Sequence, residues 1–250
     1  MSKRLGLLLL CLLLALPARA DDYAAPTLAN LAHTLVRFGA FDLTDDNLLD
    51  QYAMITDCDI YQRFYGNDFQ WQRVRKLIRQ DIKLNIGSYP IDYGYDAEMQ
   101  LDRYDFRQHV FHFTPKTVVG SVNAITIYQT EDAPTCGTAK IADLPHIYRA
   151  VFDVPVTLEG LPLAPADAQA LLKQMDKDKN RDRIVYAQFN LRIVYIEPIH
   201  RVATGGGAPV KYLQAGQTVD THGIQFAARL DSVDFYEDPA RTRLIYTYKP

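Results

Sequence analysis

IVYAQFNLRIVYI, residues 184–196, alternates between apolar and polar side chains along its length. Val185, Ala187, Phe189, Leu191, Ile193 and Tyr195 fall on one side, and Gln188, Asn190 and Arg192 lie centrally on the other. Successive side chains of a strand point to opposite faces, so this pattern predicts a long, half-buried strand of an antiparallel sheet. Residues 147–158 repeat it, with Tyr148, Ala150, Phe152, Val154, Val156 and Leu158 set against Arg149, Asp153 and Thr157. Further strands are expected at 121–129, 223–236 and 243–248.

Two short stretches echo one another in this region, LDRYDF at 101–106 and LDSVDF at 230–235. In the first, Met99 and Leu101 are odd-numbered while Tyr104 and Phe106 are even; in the second, Phe226, Ala228 and Leu230 are even while Val233 and Phe235 are odd. One inserted residue switches the parity of an apolar face, so each copy reads as a strand broken by a β-bulge and turning into a hairpin. EDPAR at 237–241 supplies the second turn. The carboxylates Asp102, Asp105, Asp231 and Asp234 are read as short acceptors for backbone N–H groups freed at the bulges. The competing reading is a catalytic pair.

Before residue 87 the period is helical. Leu28, Leu31, Leu35 and Phe38 share a face, and Thr44, Asp45 and Asp46 make a helix start ahead of Leu48, Leu49 and Tyr52. A helix over 68–84 carries an apolar stripe of Trp71, Val74, Leu77, Ile78 and Ile82, with Arg73, Arg75, Lys76, Arg79 and Lys83 read as a solvated basic face. Between two strands, Ala168, Leu171, Leu172 and Met175 have helical spacing. The expected fold is therefore α+β: a helical N-terminal region, 21–86, followed by a mainly antiparallel β-rich domain, 87–250, with one inserted helix over 165–176.

That helix runs into MDKDKNRDRIVY, 175–186, where Asp176, Asp178, Asn180 and Asp182 place oxygens at every second position. Calcium loops of the EF-hand type begin this way, but position 6 needs Gly and holds Arg181, and position 12 needs Glu and holds Ala187. Lys177, Lys179, Arg181 and Arg183 also outnumber the three aspartates. The segment is read as a charge-paired connector. A calcium site there would need a remote carboxylate such as Glu197, Glu237 or Asp238.

Residues 1–20 have basic Lys3 and Arg4, an apolar run from Leu5 to Leu16 and the triplet Ala18-Arg19-Ala20, the pattern of a secretory signal peptide cleaved before Asp21. The run is shorter than the ~20 residues that span a bilayer, and no membrane span is expected. Cys11 lies inside the apolar run behind leucines, which argues against lipid attachment. Without the signal, 24 basic residues face 30 acidic ones, a charge of −6 that disfavours nucleic acid as a partner. Cys58 and Cys136 then remain, and an oxidising compartment makes them a candidate disulfide. None of the seven remaining asparagines forms an N-x-Ser/Thr acceptor, which favours a periplasm.

Nucleophilic machinery is sparse. Ser88, Ser121 and Ser232 lie in no G-x-S-x-G turn, and Cys136 with His146 loses its thiolate if Cys58 is its partner. His109 and His112 would point to opposite sides of a strand. Gly205 to Gly207 leads into no helix and reads as a loop. The resulting expectation is an exported, periplasmic or secreted, non-catalytic binding or accessory protein acting on another envelope or secreted protein. It needs no cofactor. The alternatives are an envelope hydrolase using Asp102, Asp105, Asp231 and Asp234, and a calcium-stabilised module. Tyr186, Tyr236 and Tyr246, taken as outward strand positions, suit a binding face.

Overall fold

A computed structural model describes residues 23–114, 121–141, 144–180, 182–196, 200–202, 211–213 and 223–250. The signal peptide, Cys11, Arg181, Glu197 and Gly205 to Gly207 lie outside the described residues. The fold is α+β, a helical N-terminal region followed by a large, mostly antiparallel curled sheet.

Four helices come first: α1 (Leu28–Arg37), α2 (Asp46–Thr56), α3 (Cys58–Phe64) and α4 (Asp68–Asn85). Each starts on a side-chain cap, since the first N–H groups of a helix have no internal acceptor. Thr27, Asp45, Asp57 and Asn67 accept from the backbone N–H groups of Asn30, of Asn47 and Leu48, of Ile60, and of Gln70 respectively. The seven-residue α3 is an element that hydrophobic periodicity did not single out, being too short to establish a stripe.

The strands are β1 (Asp92–Asp105), β2 (Val110–Phe113), β3 (Ser121–Gln129), β4 (Thr135–Cys136), β5 (Ala139–Lys140), β6 (Ile147–Thr157) and β7 (Gly160–Pro162). After α5 (Pro165–Lys177) come β8 (Ile184–Ile196), β9 (His200–Val202), β10 (Lys211–Leu213), β11 (Gly223–Tyr236) and β12 (Leu244–Tyr248). The main sheet runs β3-β6-β11-β8-β1-β2-β7. Among the described residues its one parallel strand pairing is β6 with β11. The other edge of β11 takes β8 along most of its length, and β12 joins beside Val233 to Tyr236.

Both anticipated bulges are present: the register shifts between Leu101 and Tyr104 on β1 and between Leu230 and Ser232 on β11. Each strand then turns into a hairpin, with β2 and β12 respectively. Two further irregularities correct the predicted faces. Ala227 pairs with Tyr195 and Ala228 with Ile193, so Val194 is an inserted residue and Tyr195 is turned outward, 51% exposed. In β6, Val156 and Val151 pair with Val122 and Ala124, and Val154 swells out to 65% exposure. Pro155, which has no N–H to give the ladder, accounts for that bulge. Phe106 is likewise exposed, in the turn after β1. Tyr186, Tyr236 and Tyr246 are half-buried, and Tyr246 packs against the core beside Phe235.

One hydrophobic core joins the helices to the sheet, holding Leu31, Leu35, Leu49 and Ile82 together with Tyr93, Phe189, Phe226 and Phe235. Tyr93 is the polar fastening between α1 and β1. Its hydroxyl donates to the Asn30 carbonyl and accepts from the Thr34 hydroxyl. Arg37 donates to the Tyr89 carbonyl beside it. On the edge of β1 away from β8, Ala24 pairs at Tyr93, and Gly94 leaves room for neighbouring side chains. A Cβ there would sit 2.8 Å from the Gln188 amide nitrogen and 3.4 Å from Tyr23.

Candidate functional site

The calcium-like segment is a good place to begin. Asp176 lies in the last turn of α5, and Asn180 folds back on the chain: its side chain donates to the Ile184 carbonyl at 2.7 Å and accepts the Ile184 N–H at 3.0 Å. Asp178 accepts from Gln174 and from Arg243, which lies after the EDPAR turn. The remote carboxylates proposed to complete a shell do come close. Glu237 is 3.6 Å and Asp238 3.3 Å from Arg243 Nε. The cation among them is thus a guanidinium belonging to the chain. Gln174 and then Arg243 hold the Asp178 carboxyl below its ordinary value, whereas burial pushes Glu237 up. Among the described residues no three His, Cys, Asp or Glu groups converge as a metal site would require.

The four bulge carboxylates are dispersed. Asp102 accepts the Arg103 N–H and Asp105 accepts those of Arg107 and Gln108, the backbone role expected of them. Asp231 instead meets Arg229 and Tyr23, and Asp234 accepts from Asn190 and Thr247, both at 2.7 Å. Asp234 lies across Gln188 from Asp96, while Asp102 is six positions further along β1, on the order of 20 Å away at strand spacing. His109 is in the turn with φ 57°, not in the strand assigned to it, and His112 lies 3.9 Å from Asp105. Cys136 is joined to Cys58 across 5.6 Å between Cα atoms, so neither sulfur is a thiolate.

Helix α4 holds the larger surprise. Arg75 and Arg79 do not belong to a solvated basic face. Arg75 grips Asp50 with two N–H groups, at 2.7 and 2.6 Å, and reaches Asp46 at 2.7 Å. Arg79 donates to Asp46 and to the Leu43 carbonyl, and the Trp71 indole N–H donates to Asp50 at 2.8 Å. Asp50 is only 5% exposed. A carboxylate can be buried there because three donors replace its water. With Trp71 and Ile82, these residues form the face of α4 that packs on α2.

The adjacent face is open. Gln70, Arg73, Val74, Leu77, Ile78 and Asp81 recur at one-turn spacing and line a groove of about 680 Å³. Ile60 and Phe64 of α3 form the facing wall, and Tyr52, Ala53 and Thr56 of α2 the floor. His33 of α1 closes one end, its ring stacked on Tyr89 at 4.3 Å. Leu77 is 64% exposed at the lip. The size and apolar lining are those of a small-ligand cleft. The disulfide sits behind it, because Cys58 begins α3 and Cys136 packs on Ala53, Tyr61 and Trp71.

Residues 44–174 match a family described as a domain of unknown function (DUF4852), a range covering more than half of the chain. The chain belongs to this family. The DUF4852 range opens at the start of α2 and ends within α5, so it takes in Cys58 and Cys136, the Asp46–Asp50–Arg75 network and three of the four helices that line the groove. No curated protein and no solved structure matches the chain.

The groove was not legible in the sequence because its lining comes from four helices. One signal was there: the apolar arc of α4, from Trp71 through Val74 and Leu77 to Ile82, is wider than a single neighbouring helix covers. His33 gives the site a pH dependence. Burial lowers its pKa, with Asp81 opposing. Below about pH 6.5 the unfolded chain takes up a proton that the folded ring still refuses, so stability falls as pH drops through that window. His33→Gln is expected to flatten the curve of urea midpoint against pH there; an unchanged slope would count against the assignment.

Proposed function

We propose that this chain is an exported, non-catalytic binding or accessory protein that works in the periplasm or outside the cell on another envelope or secreted protein. The observation that carries the reading is the open apolar groove of the helical region, flanked by the exposed Leu77, Phe69 and Leu84 of α4. Exposed apolar surface on this scale is costly in water and is characteristic of a surface that another molecule covers. The sequence of residues 1–20 and the Cys58–Cys136 pair support export. The separate engagement of Asp102, Asp105, Asp231 and Asp234 favours binding over hydrolysis. Among the described residues, no helix is long and apolar enough to cross a membrane.

A photo-crosslinking residue at position 77, in cells of native envelope composition, is expected to give a discrete protein adduct. The same residue at Val154, exposed on the sheet, serves as the control. The reading fails if position 77 yields no adduct, or only the adducts that position 154 also yields.

A further inference from the structure

The charged groups at the margins of the groove are unequally committed. Asp57 caps α3, accepting the Ile60 N–H at 3.3 Å, and Asp81 accepts from the Asn85 amide at 2.8 Å. Arg73, one of the lining residues, is exposed and has no hydrogen-bond or ion-pair partner among the described residues, so its five N–H donors are available to a ligand in the groove. From Arg73 to Asp81 the helix rises about 12 Å, a length that a medium alkyl chain spans. Val74, Leu77 and Ile78 line that distance on one side, with Ile60 and Phe64 opposite.

We infer that the groove is a site for a single-chain amphiphile, whose alkyl chain lies between α3 and α4 and whose anionic head group, a carboxylate or a phosphate, is held by Arg73. The inference rests on the reading of the helical region as a binding element and adds a small ligand to it, beneath the rim that a protein partner would cover. A wholly apolar occupant leaves Arg73 without a counter-charge. A carboxylate or phosphate head accepts paired N–H bonds from a guanidinium, the strong and directional form of such contacts.

Isothermal titration of the purified chain with dodecanoate and with dodecyl phosphate, both below their micellar concentrations, tests it. Dodecyltrimethylammonium and dodecyl maltoside are the cationic and neutral controls. At least one anionic amphiphile is expected to bind, and the stronger of the two identifies the head group. Arg73→Ala should weaken that binding roughly tenfold or more, the usual worth of hydrogen bonds to a charged group, and Leu77→Asp should abolish it. Both side chains are exposed, so unchanged thermal unfolding midpoints would show that the variants fold. Absence of anionic binding, equal or tighter binding of the cationic chain, or indifference to Arg73→Ala would overturn the inference. If amphiphiles fail while position 77 still captures a protein, the inference falls and the functional reading stands. If they bind as described and no protein is captured, the reverse holds.

Discussion

Reducing the Cys58–Cys136 disulfide is expected to cost about 4.5 kcal/mol of stability at 25 °C, the chain-entropy value for a crosslink separated by 78 residues. The bond ties the start of α3 to the β4–β5 hairpin, whose following residue, Ile141, is buried in the main core. Cys136 packs with Ala53, Tyr61 and Trp71 in a small cluster separate from the main core. Gln62 reaches towards both sulfurs from the next turn of α3. Once the bond is broken, the unfolded chain regains its loop entropy while the folded chain keeps its packing contacts unchanged. Urea unfolding with and without reductant, and of the Cys58→Ser/Cys136→Ser variant, measures the difference. A loss below about 1 kcal/mol would mean that the unfolded chain keeps these segments together without the bond.

The second large effect belongs to Asp50. Asp50→Ala is expected to remove about 3 kcal/mol, the low end for breaking a buried ion pair, because Arg75 keeps Asp46 as a second acceptor. Arg75, with its side chain 13% exposed, would lose its bidentate acceptor, and the Trp71 N–H would lose the carboxylate it donates to. The double variant Asp50→Leu/Arg75→Met should lose less than Asp50→Ala alone, because replacing both ions by apolar groups removes the orphaned charge and the burial penalty together. Urea denaturation of the two variants decides the matter. Equal losses would show that the pair contributes through packing alone. Because α4 carries the groove on the face next to this network, the network sets where Arg73 and Leu77 stand.

These two anchors show why the sequence was legible in some places and opaque in others. Cys58 and Cys136 were readable as a pair because only two cysteines follow the expected cleavage site, and a pair in a chain read as exported is taken first as a disulfide. Arg75 and Arg79 were misread as solvated because charged side chains on a helix usually face water. The acids that draw them inward, Asp46 and Asp50, lie on a different helix. The calcium-like segment was read as a connector from its charge count, and one of the arginines that pairs with it, Arg243, sits 65 residues beyond Asp178.

What the sequence determined by itself was local and periodic. Alternation in 147–158 and 184–196 specified strands, parity switches in LDRYDF and LDSVDF specified bulges, and three-to-four spacing specified α1, α2, α4 and α5. These follow from the geometry of one backbone segment and its own side chains. Tertiary structure alone decided where strands were interrupted without a parity clue, as at Val194 and Val154, which charges were paired, and where the molecule left apolar surface uncovered. Those outcomes depend on which distant segments meet, and a groove assembled from His33, Tyr52, Phe64 and Leu77 has no period along the chain to announce it.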